Sequence, residues 1–285
     1  MRAGHSGTGW SIPMFSTCFV PVMKMRPIRK LRPLWVSRLL VQKRSGRLIT
    51  NYRNTSMNQT GMVYIVGAGP GDPGLMTVRS LECLRQADVV IYDRLIPKTI
   101  LDEAPAWADR IYAGKAPGKH YMSQDEINDL LVEGGQSGQT VVRLKGGDPC
   151  VFGRGSEEAE VCAQHGIPFE IVPGVTSAVA VPECAGIPLT HRGLSGSVAI
   201  ITAHRADERQ KVNWQACAAM DTLVVLMGVA HLPDVITELI KHGRSEKTPV
   251  AIISCGTWEE EQVIVGALHN IIDIAHEADI KSPAT

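Results

Sequence analysis

Short apolar segments that alternate with helical segments are the feature that most constrains the fold of this chain. Residues 62–67 form an apolar segment that ends in glycine, a helical pattern follows through Leu84, and a second apolar segment occupies 88–93. A strand, a helix and a second strand in this order are typical of a βαβ unit. The sequence therefore predicts an α/β fold.

The alternation continues along the chain in two series. The first series predicts helices at 123–133 and 156–165 and strands at 140–144 and 168–172. The second series, after a stretch rich in Gly and Pro at 186–196, predicts strands at 197–202, 222–227, 249–254 and 262–265. We place a boundary near 190–197, which gives two α/β domains at 61–193 and 194–285. Ligands of such folds bind beyond the carboxyl ends of the strands, in the cleft between the domains.

The helix predicted at 123–133 carries signals at both of its ends. Ser123 followed by Glu126 predicts a capping box at its start. Gly134 and Gly135 predict its end, because glycine commonly terminates helices.

Residues 1–60 form a basic leader. It contains eleven Lys and Arg residues, and the first acidic residue of the chain is Asp72, so the remaining 18 basic residues face 29 acidic ones. An organelle transit peptide, a basic nucleic-acid-binding arm and a non-native upstream sequence all fit this composition. We favour a disordered or non-native leader, because Met57 and Met62 both stand just before the first strand.

Cysteine content and hydropathy bound the class of protein. The seven cysteines include no CxxC pair and are odd in number, which signals neither a zinc site nor a disulfide framework. No apolar segment reaches the length that a transmembrane helix needs. We therefore expect a cytoplasmic protein that binds no metal.

The glycine-rich segment 67–74 follows the first strand, as a dinucleotide-binding loop does. Asp72, however, stands where the GxGxxG fingerprint requires its third glycine. Its negative charge would also oppose a pyrophosphate at a helix N-terminus. An NAD-dependent oxidoreductase is therefore a weakened alternative.

Two further strand ends carry glycine turns and polar side chains. Segment 144–158 has a paired-glycine turn followed by a helix that we expect Ser156 to open, and its acidic residues could be ordinary helix-start charges. Segment 172–178 places Thr176 and Ser177 at a helix start, where their hydroxyl groups face the cleft or simply cap the helix.

Together these motifs resemble the tetrapyrrole (precorrin) methyltransferase family in order and spacing. The matching segments are 67–74, 92–95, 114–115, 146–149, 173–177 and 226–228, within a resemblance that covers about 61–275. The resemblance implies two α/β domains that hold S-adenosyl-L-methionine between them, and a homodimer.

The resemblance also implies the cofactor site and the reaction. The cofactor-binding residues would be Pro70, Gly146, Gly147, Asp148, Val151, Thr176, Ser177, Met227 and Gly256. The implied reaction methylates C2 and then C7 of uroporphyrinogen III, on the route to sirohaem and cobalamin. Segment 153–158 favours this substrate over later corrin intermediates, diphthine or ribosomal RNA. We expect no fused NAD-binding domain ahead of residue 60 that would oxidise and metallate the product.

Methylation of a pyrrole carbon leaves a proton to be removed, which calls for a base. By motif position, Asp93 is the expected proton acceptor and Lys115 the expected proton donor. A substrate with many carboxylates needs arginines, whose planar fork binds carboxylate bidentately. Our candidates beside the motifs are Arg94, Arg154 and Arg192, with Glu157 as a residue that orients an arginine or meets a pyrrole N–H.

Overall fold

The computed structural model describes residues 60–114, 122–203 and 212–285. The predictions for the basic leader and for Lys115 therefore lie outside the described residues. The described residues belong to one compact unit of the chain. Its strands and helices, in chain order, are β1 (Met62–Gly67), α1 (Val78–Leu84), β2 (Val89–Tyr92), α2 (Lys98–Leu101), β3 (Asp109–Tyr112), α3 (Gln124–Gln136), β4 (Thr140–Lys145), α4 (Gly155–Gln164), β5 (Phe169–Val172), α5 (Ser177–Cys184), β6 (Val198–Thr202), α6 (Trp214–Ala219), β7 (Thr222–Leu226), α7 (Leu232–Lys241), β8 (Pro249–Ser254), β9 (Gln262–Ala267) and α8 (Ile271–Glu277).

Strands β1 to β5 form a parallel sheet in the order β3-β2-β4-β1-β5. The predicted α/β fold is thus confirmed. The connection that leaves β1 passes β4 to reach β2, whereas the connection that leaves β4 passes β1 to reach β5. The loops after these two neighbouring strands therefore leave in opposite directions, which opens a crevice for ligands at their carboxyl ends.

Both faces of this sheet are covered. Tyr64 and Val66 of β1 pack into one apolar cluster, and Val63 and Ile65 pack into another on the opposite face. Successive side chains of a strand point to opposite faces, so a strand that is buried on both faces is apolar at every position. This burial explains why the sequence shows continuous apolar segments.

The predicted start of helix α3 is confirmed, whereas its predicted end is not. Ser123 and Glu126 form both hydrogen bonds of the capping box. The helix continues through Gly134 and Gly135 to Gln136, so the prediction of an end at these glycines was wrong. A Cβ atom on Gly134 would lie 2.5 Å from a Val141 methyl carbon. The glycines are needed because the helix packs closely on the sheet.

Helix α4 begins one residue before the predicted Ser156. Its N-cap is Arg154, whose backbone has φ 60° and whose side chain makes no capping hydrogen bond. Gly155 then starts the helix where a Cβ atom would lie 2.6 Å from the carbonyl oxygen of Pro149. The turn after β4 therefore folds back on itself, and this close approach determines where the helix begins.

The remaining described strands form two pairs. Strands β6 and β7 pair in parallel, and β8 and β9 pair antiparallel. Helices α7 and α8 contribute Val235, Leu239 and Ile271 to the apolar cluster beside them. The boundary near 190–197 stays a prediction. None of the helices in the described ranges is long and apolar enough to cross a membrane.

We expect the cysteines to report this fold through their reactivity. Burial raises the pKa of the Cys83 and Cys162 thiols to about 11, whereas a thiol in an unfolded chain has a pKa of about 8.5. Both thiols therefore stay protonated in the folded protein at pH 8.5, and the stability that they contribute is fully present below about pH 8.5 and is lost as the pH rises from there through about 11. Iodoacetamide at pH 8.5 should modify the exposed Cys184 and spare both buried thiols.

Mass spectrometry of tryptic peptides measures this difference. Addition of denaturant is the control and should expose all three thiols to the reagent. Modification of Cys83 or Cys162 in the native protein at the rate of Cys184 would contradict the described packing.

Candidate active site

Three glycine turns meet at the carboxyl ends of β1, β4 and β5. Gly69 and Gly147 exchange two backbone hydrogen bonds, of 3.2 Å and 2.7 Å. A Cβ atom on Gly174 would lie 2.2 Å from the carbonyl oxygen of Gly147 and 2.7 Å from the carbonyl carbon of Gly67. No side chain fits between these turns, so bare backbone faces the crevice.

Asp148 holds two of these turns together. Its Oδ1 accepts hydrogen bonds from the backbone N–H groups of Cys150 at 2.8 Å and Val151 at 3.1 Å. Its Oδ2 accepts one from the N–H of Gly174 at 3.2 Å. The carboxylate thus shapes the loops after β4 and β5.

The start of α5 lies beside the same turns. A Cβ atom on Gly147 would be 3.5 Å from the backbone nitrogen of Ser177, and Gly147 has φ 66°. Thr176 is the N-cap of the helix, where its Oγ1 accepts a hydrogen bond from Ala178 at 3.3 Å. Capping, one of the two roles considered from the sequence, is therefore present in the structure.

The loop after β8 reaches the loop after β1. The indole N–H of Trp258 donates a hydrogen bond to the carbonyl oxygen of Pro70 at 3.1 Å. The backbone N–H of Asp72 donates to Thr257 Oγ1 at 3.3 Å. Gly256 lies against α5, since a Cβ atom there would be 2.4 Å from a Val181 methyl carbon. Pro70 and Gly256 are thus brought to one side of the crevice by the tertiary fold.

Non-glycine residues with positive φ concentrate in the loops after strands β4, β7 and β8. Of the six such residues in the described part of the chain, five lie in these loops, namely Phe152, Arg154, Met227, Cys255 and Thr257, and the sixth is Asp279. Such backbone conformations cost free energy and cluster at functional sites. The Met227 side chain is 47% exposed at the end of β7, so it is accessible to a ligand.

The predicted substrate-binding residues differ in how they are held. Arg154 and Glu157 form a two-point ion pair, with Nε to Oε1 at 3.0 Å and Nη2 to Oε2 at 2.7 Å. These hydrogen bonds lower the pKa of the Glu157 carboxyl, although partial burial opposes the change. Arg94 and Arg192 are exposed, the first after β2 and the second in a turn closed by His191 and Ser195.

A buried ionic cluster lies next to Asp93. Arg143 Nη2 donates to Asp93 Oδ1 at 2.5 Å, and Arg143 Nε donates to Glu158 Oε1 at 3.0 Å. Lys145 Nζ also donates to Glu158 Oε1, at 2.9 Å. Burial opposes the charge of Arg143, but the two carboxylates outweigh burial and raise the pKa of its guanidinium. Burial and the nearby Arg143 lower the pKa of Lys145.

The sequence interpretation missed this cluster. It also treated the acidic residues at the start of α4 as possible ordinary helix-start charges, which is wrong for the fully buried Glu158. A signal was present: Arg143 follows apolar residues inside the predicted strand 140–144, and Lys145 comes directly after that strand. Buried charges need partners, so a charged pair in such a strand predicts carboxylates nearby.

Two features of the described residues bear on the kind of ligand. Within the described residues, no group of three or more His, Cys, Asp and Glu side chains could hold a metal ion. A cavity of about 400 Å³ lies between β7 and β8, covered by α7, and none of the predicted site residues lines it. This cavity is therefore separate from the candidate site.

A parallel sheet with backbone-lined turns at its switch point, and with acidic and basic side chains beside them, defines an α/β enzyme for a small ligand. The model of the tetrapyrrole (corrin/porphyrin) methylases matches residues 62–272. The chain belongs to this family, which makes it a methyltransferase and confirms the resemblance drawn from the motifs.

Individual relatives agree with the family. A uroporphyrinogen-III C-methyltransferase of Priestia megaterium is 48% identical over 226 residues, which cover 79% of this chain and 95% of the relative. One of Methanocaldococcus jannaschii is 48% identical, with 79% and 93% covered. A crystal structure of uroporphyrin-III C-methyltransferase from Thermus thermophilus, complexed with S-adenyl homocysteine, has TM-score 0.68 and 38% identity, with 79% and 90% covered.

We expect Gly174→Ala to destabilise the protein, because its Cβ atom would collide with backbone of two neighbouring turns. Forcing extra atoms into a packed region costs on the order of 1–3 kcal/mol. Denaturant unfolding measures the change in the free energy of unfolding. Gly196→Ala is the matched control, because its Cβ atom would meet nothing closer than Asp221 Oδ2 at 3.9 Å. Equal stability of the two variants would contradict the described turns.

Proposed function

We propose that this chain is an S-adenosyl-L-methionine-dependent methyltransferase that methylates C2 and then C7 of uroporphyrinogen III, giving precorrin-1 and precorrin-2. The observation that best supports this proposal is the match of the chain to relatives named uroporphyrinogen-III C-methyltransferase along 95% and 93% of their length. The backbone-lined crevice supports the same activity. The proposal includes a cytoplasmic homodimer whose product serves sirohaem or cobalamin synthesis.

The proposed cofactor site consists of Pro70, Gly146, Gly147, Asp148, Val151, Thr176, Ser177, Met227 and Gly256. These residues fit the adenine and the sulfonium group of the cofactor, because glycine turns let a ligand approach the backbone and Met227 offers an exposed apolar side chain. When bound, the cofactor supplies an activated methyl group. In this site, Asp148 shapes the turns through its hydrogen bonds to backbone amides.

Arg154 is the best supported of the proposed contacts to substrate carboxylates. Its guanidinium is oriented by Glu157 through two hydrogen bonds, and both side chains are 52% exposed. A planar fork held in this way can meet a further carboxylate with little loss of side-chain entropy. Arg94 and Arg192 are proposed as additional contacts from their exposed positions.

Asp93 is proposed to accept the proton that the methylated pyrrole releases, and Lys115 to donate a proton. Asp93 Oδ1 is bound by Arg143, and Oδ2 has no hydrogen-bond partner among the described residues. The side chain is 32% exposed at the end of β2. Oδ2 is therefore available to a substrate in the crevice.

We expect the purified protein to add two methyl groups to uroporphyrinogen III when S-adenosyl-L-methionine is present under anaerobic conditions. The mass of the tetrapyrrole and its absorbance measure the transfer, and omission of the methyl donor is the control. S-adenosylhomocysteine should raise the melting temperature, because a ligand that binds the folded state stabilises it.

Other outcomes would favour the alternatives. Binding of S-adenosylhomocysteine without transfer to uroporphyrinogen III would keep the family and exclude the substrate. Protection by a nicotinamide cofactor, without protection by S-adenosylhomocysteine, would favour an oxidoreductase. Salt-sensitive binding of RNA or DNA that is lost on deletion of residues 1–56 would favour a nucleic-acid-binding protein.

We expect Arg154→Lys to raise the KM for uroporphyrinogen III about tenfold, or about 1.4 kcal/mol, with little change in kcat. A lysine cannot reproduce the two-point contact with a carboxylate. Steady-state kinetics measure the change. Arg79→Lys is the control, because it alters a similar exposed pair with Glu170. An unchanged KM in the Arg154 variant would remove this residue from the substrate site.

A further inference from the structure

The carboxylate of Asp93 is held from inside the sheet. Asp93 follows β2, and Arg143 lies on the adjacent strand β4, in register with Ile91. The side chain of Arg143 is 3% exposed, so its hydrogen bond to Asp93 Oδ1 comes from the buried side of the strand end. Among the described residues, only Arg143 donates a hydrogen bond to the Asp93 carboxylate.

The guanidinium of Arg143 is itself fixed on its other edges. Nη1 donates to the carbonyl oxygens of Ile91 at 3.3 Å and Leu144 at 3.4 Å. Nε donates to Glu158 Oε1 at 3.0 Å. The group thus contacts two strands and one helix, and it has little freedom to rotate. A planar donor that is fixed in this way also fixes the oxygen that it binds.

Glu158 completes the arrangement from the first turn of α4. Its Oε1 accepts hydrogen bonds from Arg143, Lys145 and Gln124, the last at 3.3 Å. Its Oε2 is buried and has no hydrogen-bond partner among the described residues. Burial of a carboxylate with one unpaired oxygen costs stability. A cluster that served stability alone would gain from apolar replacements, so the arrangement calls for another use.

We propose that Arg143, held in place by Glu158, is the positioning residue that orients Asp93 for proton acceptance. This inference rests on the proposed function. Arg143 occupies Oδ1 and leaves Oδ2, which has no hydrogen-bond partner among the described residues, as the oxygen that accepts the proton of the methylated pyrrole. The methylated adduct is cationic and therefore acidic, so a carboxylate paired with arginine suffices as acceptor. Small errors in the placement of such a group can reduce rates strongly.

The conservative variant Arg143→Lys tests this role. Lysine keeps the positive charge, but a single ammonium group cannot reproduce the separate contacts to Asp93, Glu158 and the backbone. We expect kcat for uroporphyrinogen III methylation to fall about 10- to 100-fold. The KM and the dissociation constant of S-adenosylhomocysteine should change less than about twofold, because neither ligand is proposed to contact Arg143.

A double-mutant cycle with Asp93→Asn separates positioning from a structural role. If Arg143 acts through Asp93, Arg143→Lys should lower kcat in the wild-type background and not in the Asp93→Asn background. Glu158→Gln serves as a second variant with nearly the same shape, and its effect on kcat should also vanish in that background. Arg79→Lys is the matched control, because its ion pair with Glu170 is exposed.

The outcomes distinguish the two proposals. Independent effects of Arg143→Lys and Asp93→Asn on kcat would overturn the positioning role and leave the proposed function intact. A loss of S-adenosylhomocysteine binding in place of a fall in kcat would do the same. If Arg143→Lys does not fold, the cycle with Glu158→Gln decides. A wild-type protein that transfers no methyl group would overturn the proposed function and the role of Arg143 with it.

Discussion

Close contact between bare backbone segments at the carboxyl ends of β1, β4 and β5 is the constraint on which the rest of the site depends. Gly67, Gly147 and Gly174 lie so near each other that a single methyl group at Gly174 would overlap two carbonyl groups. The contact requires the strand order in which β4 and β5 flank β1. It also explains why the crevice is lined by amides and carbonyls. Asp148 then needs only to tie these turns together.

A second constraint is the burial of charge beside this crevice. Desolvation of Arg143, Lys145 and Glu158 costs several kcal/mol per ion, and mutual pairing offsets it only when the geometry is good. Here one oxygen of Glu158 has no described partner, so the pairing is incomplete. Buried charges that break the apolar rule of a strand are expected at functional sites. The cluster ends at Asp93, which Arg143 contacts from the core of the sheet. Asp93 is also the proposed proton acceptor at the edge of the sheet.

Comparison of predicted and observed elements shows where local sequence signals fail. The capping box of Ser123 depends on residues three apart, and it was predictable. The end of the same helix was not predictable. Gly134 and Gly135 are present because they pack closely against Val141 and Ile167, and not because the helix ends there. The predicted start of α4 was wrong for the same kind of reason, because a close packing contact determines where this helix begins. Helix propensity is a property of each residue by itself, whereas packing depends on the residues around it.

The sequence by itself determined the alternation of strands and helices, the glycine turns that follow them and the family, because these depend on periodicity and on residues close together in the chain. It also placed Asp93 at a strand end and Arg154 beside a glycine-rich motif. Only the tertiary structure decided what these residues touch. Arg143 and Asp93 are separated by 50 positions, and Trp258 and Pro70 by 188. Such contacts follow from strand order and loop closure, which no local pattern encodes.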